Sequence, residues 1–515
     1  MSTDLSATRQ DSLKGAVLAL ATVALALGNF MEVLDTTIAN VSIPHIAGDL
    51  GVSPTQGTWV ITSYAVANGI SVLLSGWLAQ RFGQVRVFVS AVALFTLSSW
   101  LCGSAPTFGV LLGFRILQGS VSGLMVPLSQ TLLLSSYPRE KQGVALAVWG
   151  MTVVVAPVVG PILGGWITDN MSWPWIFYIN VPVGIAVAVL TQNLLARRET
   201  ETRKVPVDVT GLGLIVVWVG ALQVMLDKGN DLDWFNSPFI IALAIVAFFG
   251  FLLFLVWELT EEHPIVDLRL FKIRNFAAGT VAVSLGYCVF FGNVVLLPLW
   301  LQTQMGYTAT WSGLVVAPFG ILAFLLSPMV GKNLGRVDAR WFATVAFIIF
   351  SAASFWRTGF APNADYWTLM APQLLQGAGV ALYFAPLIGI ALGDLSEERM
   401  AFGSGLVNFF RITAGSFGAS LFTTFWTRRE ALHHSHLVDG ISAYAAQFAH
   451  EFQRLGHHGV TGKAAFAWVS RAITQQASLL AANDMFWISG WLFAVLVVTV
   501  WVARRPMVTG PVVAH

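Results

Sequence analysis

The stretch 115–128 reads RILQGSVSGLMVPL, and it returns in altered form at 373–387 as QLLQGAGVALYFAPL. A looser pair has nearly the same separation: GWLAQRFGQVRVF at 76–88 and PMVGKNLGRVDARWF at 328–342. An internal repeat of this kind predicts two like halves, a plan common among membrane transporters. All four copies lie in or beside long apolar runs. Of the 515 residues, 56% are hydrophobic and 10% charged, against about 25% charged in a soluble domain. The chain therefore reads as an all-α integral membrane protein.

A spanning helix needs roughly 20 mostly apolar residues. Fourteen such runs are predicted, near 15–43, 56–79, 87–104, 107–136, 143–168, 175–195, 209–226, 237–257, 276–302, 311–331, 341–358, 366–393, 401–426 and 484–503. The first run is too long for a signal-peptide core and reads as a retained span. One repeated pair sits on runs four and twelve, and the other follows runs two and ten. An offset of eight fits two six-helix halves, 1–205 and 263–515, with two further helices at 206–262 between them.

Lysine and arginine set the orientation. With the N-terminus inside, the short outside loops hold only Lys228 and Arg357, so both termini are expected in the cytoplasm. One outside segment, 427–483, is long and partly amphipathic. It holds six of the nine histidines, His433, His434, His436, His450, His457 and His458. Their spacing reads as solvated side chains, so no metal is expected. Cys102 and Cys288 both fall in apolar runs and form no framework.

Four charges lie in or near the ends of apolar runs: Glu32, Asp35, Arg115 and Arg411. Each costs about 2.5–3.5 kcal/mol at a bilayer centre, so it should face a cavity or a partner. Glu32 and Asp35 are three residues apart and share a helix face. Burial favours a protonated carboxyl and a nearby guanidinium favours the ionised one, a balance that suits a proton carrier. Asp35 is the deeper acid, with Arg115 its natural partner. The arginines also fit plain salt bridges or backbone clamps, and Glu32 fits an acid reaching the outer surface. In the repeat, Gln373 takes the place of Arg115, and the ninth run has no acid. The titratable groups are thus expected in the first half alone. The second half offers Tyr287, Phe290, Phe291, Tyr383, Phe384, Asn408 and Arg411, a set suited to a cavity for bulky apolar or cationic molecules. In the fifth run, Gly160, Gly164 and Gly165 permit close helix approach. Pro157 and Pro161 remove two backbone donors and bend the helix.

These stretches resemble a known family. LDTTIANVSIP (34–44) resembles the first-helix signature of the fourteen-helix drug–proton antiporters of the major facilitator superfamily. GWLAQRFGQ (76–84) resembles the superfamily's loop 2–3 motif, carried here by Gly76, Arg81 and Gly83. RILQG (115–119), with Gln118 and Gly119, is similar to the fourth-helix motif. APVVGPILGGW (156–166) resembles the antiporter motif, and WPWIFYINVPVG (173–184) is typical as well. The resemblance covers essentially the whole chain. It implies the major facilitator fold and proton-driven export of drugs with no cofactor. It also implies an inner-membrane site in a Gram-negative bacterium, with a periplasmic membrane-fusion adaptor and an outer-membrane channel as partners. On that resemblance Asp35 is the signature acid, Arg115 the fourth-helix arginine, and Gly160, Pro161, Gly164 and Gly165 the antiporter core. One departure stands out. The loop 2–3 motif usually has an aspartate before its arginine, and here Gln80 precedes Arg81. The usual gating contact must be missing or made by another group.

Three readings of function follow. The first is a proton-coupled exporter of amphipathic or hydrophobic drugs. The second is an exporter of one metabolite, such as a fatty acid, siderophore or peptide, on the same fold. The third is a sensor that has lost transport, which the retention of both Asp35 and Arg115 argues against. No zinc-protease HExxH, phosphate-binding GxxxxGK[ST] or nucleophile elbow is present, so neither an enzyme nor an ATP-driven pump is expected. Segment 427–483 is the expected place for an adaptor to dock, or else a cap on the outer mouth. Nothing in the pattern points to nucleic acid.

Overall fold

A computed structural model describes residues 13–504, except 53, 139–140, 204–205, 207, 263, 335, 440–453 and 455–461. Among the described residues the chain is helical, with no strand. The first-half helices are α1 (Gly15–Asp49), α2 (Trp59–Phe82), α3 (Gln84–Gly103), α4 (Phe108–Ser136), α5 (Gln142–Asn170) and α6 (Trp175–Arg198). Two more follow, α7 (Val209–Lys228) and α8 (Pro238–Thr260). The remainder are α9 (Arg274–Gln304), α10 (Trp311–Asn333), α11 (Ala339–Arg357), α12 (Tyr366–Leu392), α13 (Glu397–Asp439) and α14 (Lys463–Val502).

Caps set several of the starts. The side chains of Thr107, Asp208, Asp338 and Asp365 accept backbone N–H bonds from the first turns of α4, α7, α11 and α12. Each satisfies a donor the helix leaves open.

Among the described residues, twelve helices are long and apolar enough to cross a membrane, or thirteen if the bent α5 is one span. The helix α13 is not among them. Its sequence GSGLVNFFRITAGSFGAS is rich in small and polar residues, which lowers hydropathy but suits burial between other helices. The helices also overrun their apolar cores. Lys463–Val502 begins well before the expected span at 484, and Glu397–Asp439 ends well after 426. Amphipathic sequence at a membrane edge can stay helical, because the backbone bonds are internal wherever water begins. So the ends of segment 427–483 extend α13 and α14 rather than forming a separate loop. Arg429 and His433 on α13 both bond Asp484 on α14, at 2.5 and 2.7 Å. His450, His457 and His458 lie outside the described residues, as do both chain ends.

The packing repeats with the sequence. α1 packs on α5 and α6 as α9 packs on α13 and α14. α2 packs on α4 as α10 packs on α12, and α3 packs on α4 and α6 as α11 packs on α12 and α14. The pair α7–α8 pack on each other, and α7 also leans on α2 and α13. α8 is the most exposed, with Phe248, Phe249, Leu252, Leu253 and Val256 turned outward, as suits a lipid-facing helix. The halves meet along α5 with α10 and α12, and along α13 with α2 and α4.

Candidate functional site

Five helices of the first half converge on Asp35. Arg115 on α4 donates from Nη1 to Asp35 Oδ2 at 2.6 Å, and both side chains are 0% exposed. The same nitrogen reaches Gln118 Oε1 at 2.7 Å, and Nε donates to the Val60 carbonyl of α2 at 3.0 Å. Gln118 and Asn180 each donate to the other carboxylate oxygen, at 3.2 and 3.0 Å. Asn180 on α6 also bonds Ser99 on α3 at 3.1 Å. The guanidinium lies 4.1 Å from the Tyr64 ring centroid, a cation–π contact. Gln118 is three residues after Arg115, so a helix puts both on one face. Asn180, Ser99 and Tyr64 are additions to the expected set. The signal for Asn180 was a lone amide in the apolar stretch FYINVPVG.

Glu32 is buried and does not reach the outer surface. Asn68 on α2 donates to it at 2.8 Å and to Ser122 on α4 at 2.8 Å. Its carboxylate also feels the charge of Arg411 from the opposite half. Arg411 on α13 is 3% exposed and lies over Tyr287 of α9 and Trp149 of α5, at 4.8 and 5.7 Å. It donates to Asn408 at 3.1 Å, and Asn408 donates to Gln130 of α4 at 3.0 Å. Ser404 also bonds Gln130, so this chain of polar groups ties the two halves together.

The expected cavity aromatics divide into two groups. Tyr287 stacks on Phe291, with Phe384 edge-on at 6.0 Å, beside Arg411. Phe384 also faces Gly150 of α5, across the halves. Phe290 and Tyr383 touch this group too, at 6.0 Å from Tyr287 and 4.9 Å from Phe384, but they also pack on Phe319, Phe347 and Phe350 deeper in the second half. The void beside Phe384, between α5, α10 and α12, is about 10 Å³, room for about one water and far too small for a drug.

The second half answers the first in a way the repeat did not predict. Gln373 and Gln376 stand where Arg115 and Gln118 stand in the first half. Both accept from Nη2 of Arg357, which comes from the end of α11. So the guanidinium returns on a different helix, and among the described residues no carboxylate pairs with it. Arg357 and Lys228 had counted as outer-loop charges, but they are 2% and 5% exposed. Their long stems let a charge at a helix end fold back into the bundle. Lys228 bonds Thr58 and lies 3.7 and 3.6 Å from Asp227 and Asp231.

The motif residues mark close approaches. A side chain at Gly160 or Gly164 would strike Thr37 or Ile38 of α1, and one at Gly119 would strike the Tyr64 backbone of α2. Gly165 is buried and Pro157 half-buried. The bend of 42° in α5 separates Gln142–Pro157 from Ile162–Thr168. The side chain of Pro161 lies outside the described residues. Gly76 meets Phe402 of α13, where a Cβ would come within 2.6 Å. Gly83 adopts φ +95°, where side chains are strained, and the Glu199 carboxylate lies against it.

Glu199 is the acid that lies at this motif's turn. Its oxygens accept the backbone N–H groups of Val85 and Arg86 at 3.0 and 2.8 Å. It thus caps the start of α3 from the segment after α6. Nothing in the charged run ARRETETRK singles it out. Glu199→Ala is expected to cost about 1–2 kcal/mol, the usual worth of a helix cap. Thermal unfolding in detergent would read this as a lower midpoint, and an unchanged midpoint would remove the capping role.

A family model described as Major Facilitator Superfamily matches residues 25–419. The chain is 47% identical over 503 residues to the multidrug export protein EmrB of Escherichia coli K12, covering 98% of both. It is 49% identical over 498 residues to the fatty acid resistance protein FarB of Neisseria gonorrhoeae, covering 97% of this chain and 98% of that protein. Among solved structures, it resembles the human organic anion transporter MFSD10 (TM-score 0.56, 12% identity, 93% of this chain and 100% of that one). The proton:xylose symporter XylE is similar as well (TM-score 0.56, 14% identity, 94% and 95%). At these identities the structural likeness concerns the fold.

Proposed function

The chain belongs to the major facilitator superfamily, and from that premise we propose a proton-coupled antiporter that exports amphipathic or hydrophobic drugs by alternating access. It is a multi-pass protein of the bacterial inner membrane and has the character of a transporter rather than an enzyme. The observation that carries the proton-coupled part is the enclosed Asp35–Arg115 pair. A proton arriving on Asp35 cancels the charge that holds Arg115 and weakens the bonds from Gln118 and Asn180. These groups sit on α1, α4 and α6, and α4 also packs on α13 of the other half, so protonation loosens a helix that forms part of the contact between halves. In this reading residues 1–205 and 263–515 are the moving halves, with 206–262 as an added pair. Drugs would contact Tyr287, Phe291, Phe384, Asn408 and Arg411 once the halves part, with Phe290 and Tyr383 behind them. Glu32, facing Arg411, would be the second proton or cation contact.

The drive is sufficient. At a potential of about 150 mV, one charge crossing supplies roughly 3.5 kcal/mol. That supports a gradient of a few hundredfold per proton before any pH term. The names of the relatives support drug export, and FarB favours a second reading in which a fatty acid is the cargo. Substrate-induced proton release in everted vesicles tests both. Release with lipophilic drugs and fatty acids alike is expected. Release with a single compound class would move the reading to a narrow exporter, and none with any compound would sink it. We also place the chain as the inner-membrane part of a tripartite pump. Failure of the full chain to retain a periplasmic adaptor in a pull-down would withdraw that part.

A further inference from the structure

On the outer flank of the first six helices, a groove of about 480 Å³ opens between α2, α3 and α4. Arg81 and Arg86 stand at its rim, and Leu78, Phe82, Leu94 and Leu124 are among its walls. Thr202, from the segment after α6, lines it as well. The groove faces lipid. Leu94, Leu97 and Trp100 of α3 and Ile116 and Leu117 of α4 are all exposed on helices apolar enough to span the membrane. The charge pattern puts the Arg81–Arg86 end at the cytoplasmic face.

We propose that this groove binds one anionic phospholipid of the inner leaflet. Its phosphate sits between Arg81 and Arg86, and one acyl chain lies along Leu78, Leu94 and Leu124. Charge complementarity selects the headgroup. The segments 81–86 and 197–203 carry Arg81, Arg86, Arg197, Arg198 and Arg203 against Glu199 and Glu201. Glu199 lies 3.9 Å from Arg86, but its oxygens are committed to the backbone N–H groups at the start of α3. The Arg86 side chain is 73% exposed and can turn to a phosphate. Basic pockets at the cytoplasmic side of helix bundles are where anionic headgroups collect. The apolar walls select a lipid over a soluble phosphate, because a free anion gains nothing from Leu78 or Leu94. A lipid seated there would brace the tight turn at Gly83 against the segment that carries Glu199.

The test uses the full chain, purified, delipidated and examined by native mass spectrometry and thermal unfolding. The probes are phosphatidylglycerol, phosphatidylcholine and glycerol 3-phosphate. The parent is expected to retain one phosphatidylglycerol and to be stabilised by it, and not by the other two probes. Arg86→Gln should weaken retention by about fivefold, the worth of one basic group at an anionic surface. Arg86→Lys should keep it, and Leu94→Trp, which fills the groove, should lose it. Equal retention of phosphatidylcholine would overturn the proposal, as would equal stabilisation by glycerol 3-phosphate. So would Arg86→Lys failing as badly as Arg86→Gln, or retention unchanged in Leu94→Trp.

Discussion

Asp35→Asn is expected to bring substrate-induced proton release in everted vesicles down to the level of vesicles lacking the protein. The amide can still accept from Gln118 and Asn180, so the site keeps its shape but loses the group that titrates. It also leaves Arg115 charged, buried and without its counter-ion. Removing one partner of a buried pair typically costs about 3–5 kcal/mol, so a marked fall in thermal stability should accompany the loss of flux. The double variant Asp35→Asn/Arg115→Gln separates the two effects. It should regain most of the stability, because no uncompensated charge remains, and regain none of the transport. Flux in Asp35→Asn near that of the parent would move the coupling acid elsewhere, with Glu32 first to be examined. A double variant as unstable as the single one would mean that the pair is not the source of the cost.

The second large effect is expected at Gly143. A Cβ there would stand 2.6 Å from the carbonyl oxygen of Gly331 and 2.9 Å from Leu334 Cβ. Gly143 begins α5 and Gly331 lies near the end of α10, so the two halves touch backbone to backbone at this point. The contact cannot yield by a side-chain rotation. Gly143→Leu should therefore wedge these ends apart and stop export while the rest of each half stays folded. Overpacking of this kind usually costs about 1–3 kcal/mol, and here the cost falls on the closed arrangement alone. Spin labels at Gln142 and Asn333 should report a wider separation in the variant than in the parent. Normal export with an unchanged separation would show that the contact takes no part in the cycle.

What the sequence made legible follows from the length scale of each signal. The repeat spans whole helices, and the packing scheme repeats with it, helix for helix. Asp35, Arg115 and Gln118 stood out because charge and amide in apolar runs are costly and therefore informative. Arg357 did not, because it sits at a helix end where a loop charge is the ordinary reading. Only the fold brings it back to Gln373 and Gln376. Glu199 was hidden among similar charges, and its role depends on a turn more than a hundred residues earlier in the chain. The helix α13 was readable as apolar from 401 to 426, yet its polar and glycine content suits protein contact more than lipid. Phe290 and Tyr383 illustrate the same limit. Adjacent aromatics on one helix point in different directions, and composition does not say which one faces a partner.

The buried cations of the two halves have a consequence for symmetry. Each half encloses one guanidinium held by glutamine, Arg115 by Gln118 and Arg357 by Gln373 and Gln376. With Asp35 ionised, the first of these sites is a neutral pair and the second a cation without a carboxylate among the described residues. With Asp35 protonated, both of these glutamine-held guanidiniums stand without a paired carboxylate, and the two matching sites become electrostatic equivalents. In the proposed antiport, a repeated architecture would take its direction from one carboxyl group, with the proton erasing the difference between the two matching sites.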